Sequence, residues 1–213
     1  MMVLQISNPG CRNRSVLNLA GFLARSAING PGIRAVVWVQ GCPIRCRGCF
    51  NRSFWSFSSS TRISSDELAA RILATKGIDG VTFSGGEPFA QAEALASVGE
   101  RVRDTGLTVV TYTGYTYEHL TSRGDPAWDR LLAVTDLLIA GPYCKTLACS
   151  DPYIGSSNQK VISLTGNIRP ESAHGPAPRE TIEFSITSDG IVTTTGFPRE
   201  QMVRQIAARC RGE

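Results

Sequence analysis

The chain has 213 residues, 42% of them hydrophobic and 19% charged, with a formal net charge of +4. That length and composition suit one globular domain with a sizeable core. No run of about eighteen apolar residues is present, so a membrane span is not expected, and the basic residues are scattered, which argues against a nucleic-acid footprint. Met1 to Gly10 lacks a basic flank followed by an apolar core, so a secretory signal is not expected and the cytoplasm is the expected compartment.

Residues 1–16 mix Asn, Arg, Ser, Pro and Gly without periodicity and read as a flexible lead-in. Leu17 to Ala27 reads as a first strand or a short helix. Asn29-Gly30-Pro31-Gly32 is a turn. Arg34 to Gln40 has the length and β-branched content of a buried strand. Ser64-Ser65-Asp66-Glu67 reads as a capping box, Ser64 being the N-cap. Leu68, Ile72 and Leu73 follow at helical spacing, and Gly77 stops that helix. Gly80 to Ser84 is the next strand, running into Gly85-Gly86-Glu87. Ala90 to Arg103 is helical, Leu107 to Thr113 is a third strand, and Tyr117 to Ser122 and Ala127 to Val134 are short helices. Asp136 to Ala140 is a fourth strand, stopped by Gly141-Pro142, and Asn158 to Leu164 a fifth. Strands alternating with helices predict βαβ units in a parallel sheet, with chemistry at the carboxyl ends of the strands. Residues 165–180 read as a linker. Asp189-Gly190 between Ile182–Ser188 and Ile191–Thr195 predicts a hairpin with a two-residue loop, and Arg199 to Arg209 a last helix. The expected organisation is therefore a lead-in (1–16), a main domain (17–164) and a tail of linker, hairpin and helix (165–213) packed on it.

Cys42, Cys46 and Cys49 form a CxxxCxxC pattern directly after the second strand. Thiolates are soft ligands suited to iron–sulfur clusters, zinc or copper(I). A structural zinc takes four protein ligands, and a cubane cluster normally takes four cysteines. Three thiolates on a cubane leave one iron open to a ligand that is not protein. The alternative is a zinc site completed by one of the remaining cysteines, Cys11, Cys144, Cys149 or Cys210. The two histidines, His119 and His174, stand far from the motif in sequence. Trp38, Trp55 and Trp128 read as packing residues.

The same stretch is preceded by Asn29-Gly30-Pro31-Gly32-Ile33-Arg34 and followed by Phe50-Asn51-Arg52-Ser53-Phe54-Trp55. Ser84-Gly85-Gly86-Glu87-Pro88, Tyr112-Thr113-Gly114-Tyr115-Thr116 and Gly155-Ser156-Ser157-Asn158-Gln159 come later. In this order, over most of residues 17–164, the blocks resemble the radical S-adenosylmethionine (SAM) superfamily, in particular the activating proteins of anaerobic ribonucleotide reductase. The resemblance implies an α/β fold, a partial (βα) barrel of about five to six units, to which the C-terminal hairpin and helix are added. It implies a 4Fe–4S cluster on Cys42, Cys46 and Cys49, with SAM chelating the open iron through its amino and carboxylate groups. Reduction would then cleave SAM to methionine and a 5′-deoxyadenosyl radical, which abstracts hydrogen from a glycine Cα of a glycyl-radical enzyme such as anaerobic ribonucleotide reductase. The electron would come from a donor such as flavodoxin or ferredoxin.

By the same resemblance, Ser84, Gly85, Gly86 and Glu87 are expected beside the SAM amino group. Gly48, Cys49 and Phe50 are expected beside the adenine. Thr111 and Thr113, at a strand's carboxyl end, are expected near the carboxylate or ribose. No side-chain acid or base is required, so no catalytic residue is named. Two departures stand out: Gly48 occupies a position that is aromatic in many radical SAM proteins, and Ala140 one that is more often acidic in the family. Two other readings stay open: a radical SAM enzyme acting directly on a small molecule or peptide, with the 165–213 tail shaping its pocket, and a zinc-binding interaction module.

Overall fold

The computed structural model describes residues 15–169 except 59 and 150, together with 182–186, 192–196, 205 and 208. Strand β1 (Val16–Ser26) resolves the first ambiguity as a strand. It pairs antiparallel with β2 (Arg34–Val39) on one side and with β3 (Thr61–Ser64) on the other. The short edge strand β3 was not expected: it ends on Ser64, whose hydroxyl then accepts the Glu67 amide at 3.2 Å and caps α1 (Ser65–Ala74). β4 (Gly80–Gly85), α2 (Ala92–Arg103), β5 (Thr108–Thr113), α3 (Tyr117–Ser122), α4 (Pro126–Val134) and β6 (Leu137–Ala140) follow close to their expected places. The first residues of the expected 90–103 helix belong instead to a 3-10 turn, Pro88–Gln91.

The seven strands are ordered β3-β1-β2-β4-β5-β6-β7 in one open sheet. β2, β4, β5 and β6 are parallel, so the parallel part has four strands rather than five or six units, and it does not close. The expected fifth strand, β7 (Lys160–Ser163), exists but runs antiparallel to β6. A parallel return needs a crossover element, usually a helix. Between β6 and β7 the described residues hold only a loop and one 3-10 turn, Lys145–Leu147. No helix among the described residues is long and apolar enough to cross a membrane.

Side chains alternate between the two faces of each strand. Ala35, Val37, Val39, Val81, Phe83 and Val109 point to the face covered by α1, α2 and α4, where the main core lies. Gly99 lets α2 close on α4; a Cβ there would meet Val134 at 2.7 Å. The opposite face carries the alternate residues: Arg34 and Trp38 on β2, Thr82 and Ser84 on β4, Val110 and Tyr112 on β5. A smaller core of Val110, Leu137, Ile139 and Ile168 lies on this second side.

The hairpin β8 (Ile182–Ile186) and β9 (Val192–Gly196) is antiparallel, as expected. Its register differs: Ile186 stands opposite Val192, where a two-residue loop would set it opposite Thr193. The Glu183 carboxylate accepts the Ser26 hydroxyl at 2.7 Å and the Ala27 amide at 3.1 Å, and Thr195 bonds Asn29, so the hairpin is tied to the turn before β2. The lead-in before Ser15, most of the 165–180 linker, the Asp189-Gly190 turn and, apart from Gln205 and Ala208, the expected 199–209 helix lie outside the described residues.

Arg34 anchors the amino ends of the parallel strands. Only 1% exposed, it donates to Thr82 Oγ1, Pro31 O, Thr108 Oγ1, Val81 O and Thr108 O at 2.8–3.1 Å. Burial brings its pKa down to about 10, so it stays charged at neutral pH. Replacing it with Leu removes those bonds and leaves buried acceptors short of a donor, a loss of about 2–4 kcal/mol. Urea unfolding of the apoprotein is expected to show it; an unchanged midpoint would mean the cation is dispensable.

Candidate active site

The cysteine loop begins where β2 ends and is pinched shut at its base. The Gly41 amide donates to Phe54 O at 2.8 Å and the Cys42 amide to Trp55 O at 3.1 Å. Within the loop Gly41, Arg45 and Gly48 take positive φ of 100°, 53° and 85°, and the Cys49 amide closes a turn on Cys46 O. Arg45 pays the steric strain of a left-handed residue that has a Cβ. The winding brings Cys42, Cys46 and Cys49 to one cavity of about 120 Å³, which Trp55, Ser84, Gly85, Gly86, Glu87, Thr113 and Gly114 also line. Cys42 is buried, and Cys46 and Cys49 are half-buried. Burial pushes the Cys42 and Cys46 thiols above the ordinary value, and the neighbouring Cys49 adds to it. Among the described residues no three His, Cys, Asp or Glu side chains converge closely enough to hold a single metal ion.

Gly85 and Gly86 are small for a reason that the sequence did not reveal. They approach the chain's own backbone closely. A Cβ on Gly85 would fall 2.4 Å from Val39 N, and one on Gly86 2.2 Å from Gly41 O. The Gly86 amide donates to Val39 O at 2.7 Å and the Glu87 amide to Gly41 O at 2.8 Å. Glu87 is 1% exposed. Its Oε1 accepts the Phe89 amide and the Thr113 hydroxyl, and its Oε2 the Gly114 amide, all at 2.9–3.0 Å. Both carboxylate oxygens are thus engaged within the protein, and what this segment offers the cavity is the backbone of Gly85 and Gly86.

The two threonines separate. The Thr111 hydroxyl meets Thr135 Oγ1 at 2.8 Å beneath the helices, away from the cavity; Thr113 lines the cavity with its hydroxyl spent on Glu87. Alternation puts Tyr112, between them, on the open face. It joins Ser84, Cys49, Tyr143 and Gln159 in lining both the cysteine cavity and an adjoining groove of about 270 Å³. Phe50 stands at the groove, 54% exposed, its ring 5.5 Å from that of Tyr143. Gly48 packs against the Lys145 stem, 3.1 Å from where a Cβ would sit, and its φ of 85° favours glycine. Trp38 lines the groove, Trp55 the cysteine cavity, and only Trp128 is wholly a packing residue, against Phe89 and Tyr115.

The Gly155–Gln159 stretch acts as a clasp. Gln159 Oε1 accepts the Gly155 and Ser156 amides while its Nε2 donates to Gly141 O. Asn158 donates to Pro142 O, and Ser156 Oγ accepts the Cys144 amide. The stretch therefore holds the 141–149 loop, and with it Tyr143, over the cysteines. Tyr112, Tyr143 and Gln159 were missed as site residues; strand alternation alone would have found Tyr112. The half-buried Cys144 thiol has its pKa lowered by its bond to the Thr146 hydroxyl. Cys11, Cys210 and His174 lie outside the described residues.

Against known proteins, residues 28–162 match the family described as "4Fe-4S single cluster domain". The anaerobic ribonucleoside-triphosphate reductase-activating protein of Enterobacteria phage T4 is 31% identical over 148 residues, 66% of this chain and 90% of that protein. Its counterpart from Vibrio cholerae is 31% identical over 160 residues, 70% of this chain and 99% of that protein. The pyruvate formate-lyase 1-activating enzyme of Escherichia coli is 32% identical over 149 residues, 67% of this chain and 58% of that enzyme. Among solved structures, QueE from Escherichia coli aligns with a TM-score of 0.39 and 18% identity, over 47% of this chain and 53% of that one. The family match and the sequence relatives define a radical SAM enzyme with a 4Fe–4S cluster. Within that class, the chain belongs to the family of activating proteins.

Two outcomes follow from the loop geometry. A Gly86→Val chain is expected to lose iron as well as SAM binding, because the new side chain strikes the Gly41 carbonyl at the root of the cysteine loop; full iron content after anaerobic reconstitution would contradict this. Burial raises the Glu87 pKa from the ordinary 4.5 to about 7. The native apoprotein therefore holds this proton more tightly than the unfolded chain does. Stability falls as pH rises from about 4.5 to about 7 and is level on either side. In urea titrations across that window the Glu87→Gln apoprotein, weaker overall for its lost acceptor at Gly114, should lack this decline; equal slopes would assign the decline elsewhere.

Proposed function

We propose that this protein installs a glycyl radical on a partner enzyme of the anaerobic ribonucleotide reductase type. The observation that carries the reading is one chamber in which three thiols face the Gly85–Gly86 backbone, opening onto a separate groove. The donor set fits the cluster: three soft thiols on a loop, with no histidine among the cavity's lining residues. Cys42, Cys46 and Cys49 would hold three irons. When bound, the cluster and SAM supply a one-electron cleavage that gives methionine and a 5′-deoxyadenosyl radical.

The rest is positioning by the chain. The backbone of Gly85 and Gly86 is offered to the SAM amino group. Glu87 does not touch the ligand; it holds the Gly85–Gly86 segment to the end of β5. Tyr143, which lines both chamber and groove, and Phe50, which lines the groove, shield the adenosyl moiety from water. The groove admits a loop of the partner, whose glycine Cα gives up one hydrogen atom. No side chain serves as acid or base. The electron comes from a flavodoxin- or ferredoxin-type donor, and a reducing cytoplasm suits the free cysteines.

The hairpin gives a second reading its one supporting observation. Thr194, Thr195 and Gly196 wall the groove, as a direct enzyme for a small molecule or peptide would require. The activating-protein relatives favour the partner enzyme. The test mixes anaerobically reconstituted, reduced protein with SAM and an anaerobic ribonucleotide reductase. A glycyl-radical doublet in the EPR spectrum of the partner, with 5′-deoxyadenosine formed, is expected, and neither is expected with Cys46→Ala, which should also lose the brown chromophore. Formation of 5′-deoxyadenosine with a peptide or small molecule, and no radical on the partner, would favour the second reading.

A further inference from the structure

Trp55 Nε1 is the one buried side-chain nitrogen or oxygen among the described residues that has no hydrogen-bond partner. Buried donors in folded proteins are almost always paired, and an unpaired one calls for an explanation. The indole lines the cavity that Cys42, Cys46 and Cys49 line. It is held there by its own backbone: Trp55 O accepts the Cys42 amide at 3.1 Å, and the Trp55 amide donates to Arg52 O at 3.3 Å. The Arg52 guanidinium lies 5.2 Å from the ring centroid. The Glu87 carboxylate, which lines the same cavity, has both oxygens engaged by Phe89, Thr113 and Gly114. The same cavity carries the three sulfurs of Cys42, Cys46 and Cys49.

We propose that the Trp55 indole N–H donates a hydrogen bond to a sulfur of the 4Fe–4S cluster, a cysteine thiolate or a bridging sulfide, and so sets how easily the cluster is reduced. The proposal rests on the cluster assignment above. Hydrogen bonds to cluster sulfurs are among the factors that set the reduction potential. Reduction adds one electron and makes the sulfurs more negative, so a donor stabilises the reduced form more than the oxidised one and raises the potential. Trp55 is then a positioning residue for electron entry, neither a ligand nor a catalytic group.

The test compares wild type and Trp55→Phe, which keeps an aromatic ring and loses the N–H. Both are reconstituted anaerobically, assayed for iron, and titrated with dithionite under EPR without SAM, so that a SAM oxygen cannot serve as the acceptor. With equal iron, the ratio of reduced to oxidised cluster at a fixed potential should fall about tenfold in the variant, a midpoint about 59 mV more negative for one electron. Electron–nuclear double resonance in H2O and D2O should show one exchangeable proton coupling in wild type that is missing in the variant. An equal midpoint with equal proton couplings overturns the proposal. So does an unchanged midpoint accompanied only by weaker SAM binding, which would assign the N–H to SAM. If Trp55→Phe takes up no iron, wild type grown on 15N-indole tryptophan decides the matter: a 15N coupling to the reduced cluster supports the bond, and its absence overturns it. If wild type itself assembles no cluster, the cluster assignment has failed, and the proposal falls with it.

Discussion

Two short backbone hydrogen bonds, Gly86 N to Val39 O and Glu87 N to Gly41 O, join the end of β4 to the end of β2. They form only because neither Gly85 nor Gly86 carries a Cβ. Gly41 is also the root of the cysteine loop, so the bonds that seat the Gly-Gly-Glu segment fix where that loop departs from the sheet. Glu87 extends the tie to a third strand through Thr113 and Gly114 at the end of β5. Three strand ends are thus locked around one point. The cost is a buried carboxyl whose pKa is driven up to about 7. A charged, unpaired carboxylate could not persist there, and three donated hydrogen bonds offset the desolvation.

The opposite wall is built differently. The 141–149 loop has little secondary structure of its own, and the Gly155–Gln159 clasp holds it in place by side-chain bonds to the backbone at Gly141, Pro142 and Cys144. It brings Tyr143 over the cysteines and leaves a groove between the sheet and the hairpin. A rigid floor and a clasped wall suit chemistry in which a reactive species must be kept from water while a foreign backbone is admitted. The open sheet suits this as well. A barrel closed by further strands would narrow access to the groove on this side of the sheet.

Much of the site was legible in the sequence because its chemistry sits in contiguous residues. CxxxCxxC, the Gly-Gly-Glu turn and the capping box at Ser64 each act over a few positions, and the parallel strands announce themselves by β-branched runs between helices. What escaped depended on relations between distant residues. The direction of β7 follows from the lack of an α-helix among the described residues between Gly141 and Gln159, not from the content of the strand. Thr111 and Thr113 were chosen for their hydroxyls, yet strand alternation turns Thr111 to Thr135 and leaves Tyr112 facing the groove. That Gly85 and Gly86 also permit a close approach to the backbone at Val39 and Gly41 was not legible, since it is set across strands. Trp55, read as packing, proves to line the cysteine cavity with its N–H unpaired. The hairpin was found from Asp189-Gly190, but its register was not, since the pairing of Ile186 with Val192 is set across strands rather than by the turn residues.

The central claim is that the three thiols hold a cluster with one iron left open for SAM. Its most direct test is electron–nuclear double resonance on the reduced, reconstituted protein given SAM labelled with 15N at the amino group. The account predicts a 15N coupling strong enough to require direct ligation to iron, lost in Cys46→Ala. A fully assembled cluster with bound SAM and no such coupling would contradict it.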